Sequence, residues 1–109
     1  MPPRRGEVWL FDLGMAAKTR PVLVVSTEYG DTDRALITVV PHTTELRGSR
    51  FEIAIKCSFL RPGAFLVQGV SSYSNAWAIR KLGTLHSSQM EAVVTGLTKW
   101  LGIGSRTES

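Results

Sequence analysis

The segment Pro21-Val22-Leu23-Val24-Val25-Ser26-Thr27 constrains the fold more than any other stretch of this chain. Its apolar run is too short for a helix, and Pro21, which cannot donate to a ladder, suits only the first position of a strand. The segment therefore predicts a buried strand opening at Pro21. Several partners for it are legible. Glu7 to Asp12 (EVWLFD) is rich in branched and aromatic residues and is closed by Leu13-Gly14. Ala35 to Val40 follows the polar turn Tyr29 to Arg34 and stops at Pro41. Phe51 to Lys56 alternates Phe51, Ile53 and Ile55 with Glu52, Ala54 and Lys56, the period-two signature of a half-buried strand. Ala64 to Gln68 comes after the turn Arg61-Pro62-Gly63, and a sixth strand falls within Ala76 to Leu85, broken by Arg80, Lys81 and Gly83. His42 to Arg50 and Ser71 to Asn75 read as polar loops.

One helix is expected, near the end. Met90, Val93, Val94, Leu97, Trp100 and Leu101 make a single apolar stripe at helical spacing. Ser88 and Glu91 suit a capping box, and Gly102 suits a left-handed C-terminus, so the helix should span about Ser88 to Leu101. Gly104 to Ser109 is small and polar, which predicts one domain over residues 1–103 and a frayed tail over 104–109. Short strands with one terminal helix argue for a mainly β fold: a small, curved antiparallel sheet or partly open barrel with the helix over its open face.

Size and composition narrow the function classes. A chain of 109 residues has room for one core and no second domain. Cys57 is the single cysteine and His42 and His86 the two histidines, which rules out an internal disulfide and a multi-cysteine zinc site. No apolar run nears the about 20 residues of a membrane span, and Asp12 and Gly14 interrupt any leader-like apolar region behind Arg4 and Arg5. A reducing, cytoplasmic setting is the expectation, with no cofactor.

The net charge is +4, and between Arg47 and Lys81 six basic residues face the single acid Glu52. Such a stretch is either a footprint for phosphates or a solvated basic surface. Arg20, at the mouth of the buried strand, either clamps a phosphate bidentately or pairs with a carboxylate such as Asp12. Thr43 and Thr44 carry hydroxyls that bond a phosphate or ribose oxygen, or cap the local backbone. His42 titrates near neutrality or is a bystander. Trp9, Phe11, Phe51, Phe65 and Trp100 read as core, leaving Tyr73 and Trp77 as the pair able to stack on bases. No Gly-rich phosphate loop, nucleophile elbow or paired-carboxylate spacing is present.

Arg5-Gly6-Glu7-Val8-Trp9, Arg20-Pro21-Val22-Leu23-Val24-Val25-Ser26 and Val40-Pro41-His42-Thr43-Thr44, followed by Phe51-Glu52-Ile53, together resemble the MazF/PemK toxin family of bacterial toxin–antitoxin systems. The likeness extends more loosely through Gln68-Gly69-Val70-Ser71 and the last helix, over about residues 4 to 103. It implies an SH3-like small barrel with a C-terminal helix, the fold shared with the Kid and CcdB toxins, and a homodimer held in check by a cognate antitoxin. It also implies sequence-specific, metal-independent cleavage of single-stranded RNA, leaving 2′,3′-cyclic phosphate and 5′-hydroxyl ends. By the same likeness Arg20 and Thr43 act at the scissile phosphate, and Lys18, His42, Thr44, Glu45, Arg47, Gln68 and Ser71 belong to the RNA groove.

Three departures from the family pattern stand out. The first loop, Leu13 to Thr19, is short and keeps Lys18 as its charged residue; Val67 and Val70 replace the usual acid before Gln68 and base after Gly69; and His42 takes the place of a small residue. Two other functions share this architecture. One is a CcdB-like toxin that poisons DNA gyrase without cutting anything, against which stands the extra Leu101 in Trp100-Leu101-Gly102-Ile103. The other is a barrel that binds RNA or antitoxin and has lost catalysis.

Overall fold

The computed structural model describes residues 2–14 and 19–104. Strands β1 (Glu7–Asp12), β2 (Thr19–Val24), β3 (Leu36–Thr43), β4 (Glu52–Ala54), β5 (Ala64–Leu66), β6 (Ser71–Ser74) and β7 (Ala78–Thr84) precede helix α1 (Ser87–Leu101). The sheet runs β4-β5-β3-β2-β1-β7, with β6 also on β3, and every pairing is antiparallel. It is mainly β with one C-terminal helix, as expected, but the ends β4 and β7 do not pair, so the barrel is open.

The predicted buried strand organises the core. Val22, Leu23 and Val24 are all essentially inaccessible, and strand alternation sends them to two faces. Leu23 packs with Val8, Val40, Phe65, Val67 and Val93 beneath α1, whereas Val22 and Val24 join Phe11, Ile37 and Val39. Each such side chain contributes roughly 1.5–3 kcal/mol through burial.

The boundaries differ from expectation in instructive ways. β2 starts at Thr19, two residues before Pro21, and ends at Val24. β3 runs through Pro41 to Thr43, which makes Thr43 the last residue of a strand rather than part of a loop. Ser71–Ser74, expected as loop, is strand β6: its partner β3 supplies the ladder, and Thr38 and Ser72 hydroxyls meet across it at 2.7 Å. Gln68 lies not in a strand but in a short 3-10 turn, Val67–Gly69.

Helix α1 begins one residue early because His86, not Ser88, is its N-cap. The His86 backbone N–H donates to Gln89 Oε1 at 2.8 Å. At the other end Gly102 adopts φ +70°, and the N–H of Ile103 reaches Thr98 O at 3.1 Å. Val93 and Gly96 are buried, but Trp100 is 40% exposed and Leu101 49% exposed, so the stripe leaves the core in its last turn. There Trp100 packs edge-on against Phe51, ring centroids 5.2 Å apart. Residues 105–109 of the expected tail lie outside the described residues.

Candidate functional site

Register brings the two principal residues together. Val22 stands opposite Pro41. In an antiparallel pair, stepping two residues back along β2 and two forward along β3 places Arg20 opposite Thr43 on the same face. The pairing of β2 with β3 has already ended there, its last pair being Val22 with Pro41, while along the other edge of β3 His42 and Thr43 pair with Phe65 and Ala64 of β5. The two strand ends thus bound an open groove of about 830 Å³. Arg20, His42, Thr43, Thr44 and Glu45 line it, with Arg61 and Arg80 as further cations and Leu10, Phe59, Leu60 and Leu82 as its apolar walls.

Thr43 is poised by the backbone that follows it. Its Oγ1 accepts the Glu45 N–H at 3.1 Å, while its own path to the Glu45 carbonyl is long, 3.5 Å. The hydroxyl oxygen is therefore fixed, and its proton is weakly engaged and available to a ligand oxygen. Of the two roles that the sequence poses for Thr43, the structure shows the backbone cap, made by a hydroxyl on the groove wall. Arg20 forms no ion pair with Asp12 among the described residues; Asp12 Oδ1 instead accepts the Gly14 N–H at 2.9 Å.

His42 borders the groove but is 4% exposed, and its Nε2 is sealed without a hydrogen-bond partner. Its ring meets Phe65 edge-on, centroids 5.1 Å apart. Burial pushes its pKa below the ordinary 6.5. The folded state then holds the proton more weakly than the unfolded chain, so this residue's contribution to stability is complete above pH 6.5 and is lost as the pH falls through the folded pKa. Urea midpoints measured between about pH 5 and 8 should decline on the acid side, and His42→Phe should flatten that decline. An unchanged slope in His42→Phe would show that another group sets it.

The basic stretch does not form one patch. Arg50 lies over the Phe51 ring, 4.6 Å from its centroid, and Lys81 Nζ is 3.2 Å from Glu7. The loop carrying Arg47 is wrapped round Glu52, whose carboxylate accepts the N–H groups of residues 47, 48 and 49 at 2.9–3.0 Å. Those bonds hold the Glu52 carboxyl below its usual range. Arg47 does not line the groove. Gln68 and Ser71 do not line it either, because they follow β5 along the edge of β3 away from β2. Lys18 lies outside the described residues. Tyr73 and Trp77 stack on each other at 5.1 Å, away from the groove.

Arg61 and Arg80 were legible only as members of a charge stretch. What places Arg80 is its register opposite Leu10 of β1, and what places Arg61 is the turn into β5. Gly63 allows that turn to close: a Cβ there would lie 2.2 Å from the Thr43 carbonyl oxygen and 2.8 Å from His42 Cε1. Among the described residues no group of three His, Cys, Asp or Glu side chains is placed to hold a metal ion.

Comparison with known proteins adds an independent line. A family model described as PemK-like, MazF-like toxin of type II toxin–antitoxin system matches residues 4–101. "Probable endoribonuclease MazF5" of Mycobacterium tuberculosis is 32% identical over 98 residues, spanning 87% of this chain and 89% of the relative. A mycobacterial endoribonuclease solved in complex with its cognate antitoxin superposes with a TM-score of 0.80 at 25% identity, over 94% of this chain and 98% of that one. The MazE-MazF structure (Form-II) from Deinococcus radiodurans gives a TM-score of 0.79 at 21% identity, over 95% and 99% of the two chains.

Proposed function

Since this chain belongs to the PemK-like, MazF-like toxin family, we propose that it is an endoribonuclease toxin acting on single-stranded RNA in the groove between β2 and β3. Residues 1–103 act as one toxin domain. The observation that carries the reading is the convergence of Arg20 and Thr43 on one basic groove.

The chemistry asks little of the protein. RNA supplies its own nucleophile: the 2′-oxygen forms a bond to phosphorus, the P–O5′ bond breaks, and the 5′-oxygen takes up a proton. The products are a 2′,3′-cyclic phosphate and a 5′-hydroxyl. What remains is to align the attack and stabilise the crowded, doubly negative phosphorane. Arg20 supplies a fixed, bidentate positive charge, and the weakly engaged Thr43 hydroxyl donates to a phosphate oxygen. Arginine does not release its proton, and His42 Nε2 is sealed, which leaves Glu45 on the groove wall and solvent as acceptors for the 2′-OH proton.

The toxin works in the cytoplasm as a homodimer and is restrained by an acidic segment of a cognate antitoxin laid across the basic groove. The unpaired edges at β4 and β7 give the chain a motive for association, and among the described residues no helix is long and apolar enough to cross a membrane.

The purified protein should cut a mixed single-stranded RNA in the presence of EDTA and leave the ends named above. Thr43→Ala should slow this about 10- to 100-fold, the loss of one hydrogen bond to a charged oxygen, with Thr43→Ser recovering most of it. Intact RNA combined with gyrase inhibition would assign the chain to the CcdB-like class; binding without cutting would mean lapsed catalysis.

A further inference from the structure

The groove holds more positive charge than the scissile phosphate requires, and that charge is ordered. Across the sheet the strands follow β5, β3, β2, β1, β7. Arg61 stands in the turn into β5, Arg20 on β2 and Arg80 on β7, and all three line the same groove. Two strand steps separate β5 and β7 from β2, so the backbone segments that carry the outer arginines flank the one that carries Arg20. Glu45 is the one carboxylate lining the groove among the described residues, and none of the three guanidinium groups forms an ion pair among them. Some cations elsewhere are engaged, Arg50 on Phe51, Lys81 on Glu7 and Arg4 on Glu28 at 3.5 Å, whereas Arg34, Lys56 and Lys99, like the groove arginines, form no ion pair among the described residues. Several guanidinium groups without ion pairs, spread along one groove, suit an extended polyanion lying across them.

We propose that Arg61 and Arg80 bind the RNA phosphates on the two opposite flanks of the scissile one, so that the strand crosses the sheet perpendicular to the β-strands. This rests on the assignment of the groove to RNA. It adds two binding residues and a direction for the substrate. Arg61 and Arg80 set affinity and positioning, whereas Arg20 and Thr43 act on the reacting phosphate.

The test uses binding rather than cleavage. An oligoribonucleotide blocked by a 2′-O-methyl group at the mapped cleavage site is titrated against the protein over a range of salt concentrations. Arg61→Ala and Arg80→Ala should each reduce the slope of log Kd against log salt by about 0.7, the amount expected for one phosphate contact on a single strand. Arg61→Lys and Arg80→Lys should restore it. Lys81→Ala, next to Arg80 in sequence but turned to Glu7, should leave the slope unchanged. Neutral methylphosphonate linkages introduced one at a time then locate the contacts. The wild type should lose affinity at one linkage on each flank; Arg61→Ala should become indifferent to one of these, and Arg80→Ala to the other. Unchanged slopes, or two variants indifferent to the same linkage, would overturn the proposal. Tight, salt-dependent binding without cleavage of unblocked RNA would instead overturn the catalytic reading and leave this one standing. Thermal midpoints close to the wild type's exclude misfolding as the cause, since both side chains are exposed.

Discussion

Arg20→Ala is expected to lower single-turnover RNA cleavage by about 10³-fold while the protein stays folded. The size follows from the role: removing one preorganised group from a developing oxyanion costs about 10²–10³-fold, and here that group is a full charge facing a double negative charge. Stability should change little. Arg20 sits beyond the buried run Val22–Val24, so its loss removes neither core volume nor, among the described residues, an ion pair. Arg20→Lys should recover only a small part of the activity, because an ammonium keeps the charge and loses the planar, two-pronged contact. Cleavage by Arg20→Ala within a few-fold of wild type would remove Arg20 from the chemistry.

Gly63→Ala is expected to damage the enzyme from the far side of β3. The added methyl would lie 2.2 Å from the Thr43 carbonyl oxygen, a backbone atom that cannot swing aside. β5 must therefore move away from β3, just where His42 and Thr43 pair with Phe65 and Ala64. Overpacking of this kind costs about 1–3 kcal/mol, and a displacement of about 1 Å at Thr43 costs roughly 10²-fold in turnover. Thermal melts should show the first effect and single-turnover kinetics the second, with some loss of affinity for blocked RNA as well, since the same turn places Arg61. A variant with wild-type melting and turnover would mean that the β3–β5 seam does not hold Thr43 in place.

How much of this was readable beforehand depends on where each signal is stored. The β2 run announced itself because burial on both faces demands consecutive apolar residues, and Val22, Leu23 and Val24 are all sealed. α1 was legible from its stripe, although Trp100 and Leu101 showed that periodicity does not say where the core ends. β6 was invisible, since Ser71-Ser72-Tyr73-Ser74 has no apolar alternation and owes its strand form to the ladder with β3. Arg20 and Thr43 stood out through resemblance, and their meeting follows from the pairing of Val22 with Pro41, which periodicity alone does not supply. The family resemblance places His42 in the groove, and only packing against Phe65 reveals that its Nε2 faces no solvent. Arg61 and Arg80, 19 residues apart, become neighbours of one groove only when strand order is known.

The most direct measurement is a structure of the protein bound to an RNA blocked by 2′-O-methylation at the cleaved linkage. The scissile phosphate should lie within hydrogen-bonding distance of both the Arg20 guanidinium and Thr43 Oγ1. A phosphate seated instead on the other edge of β3, against Gln68 and Ser71, would contradict the account.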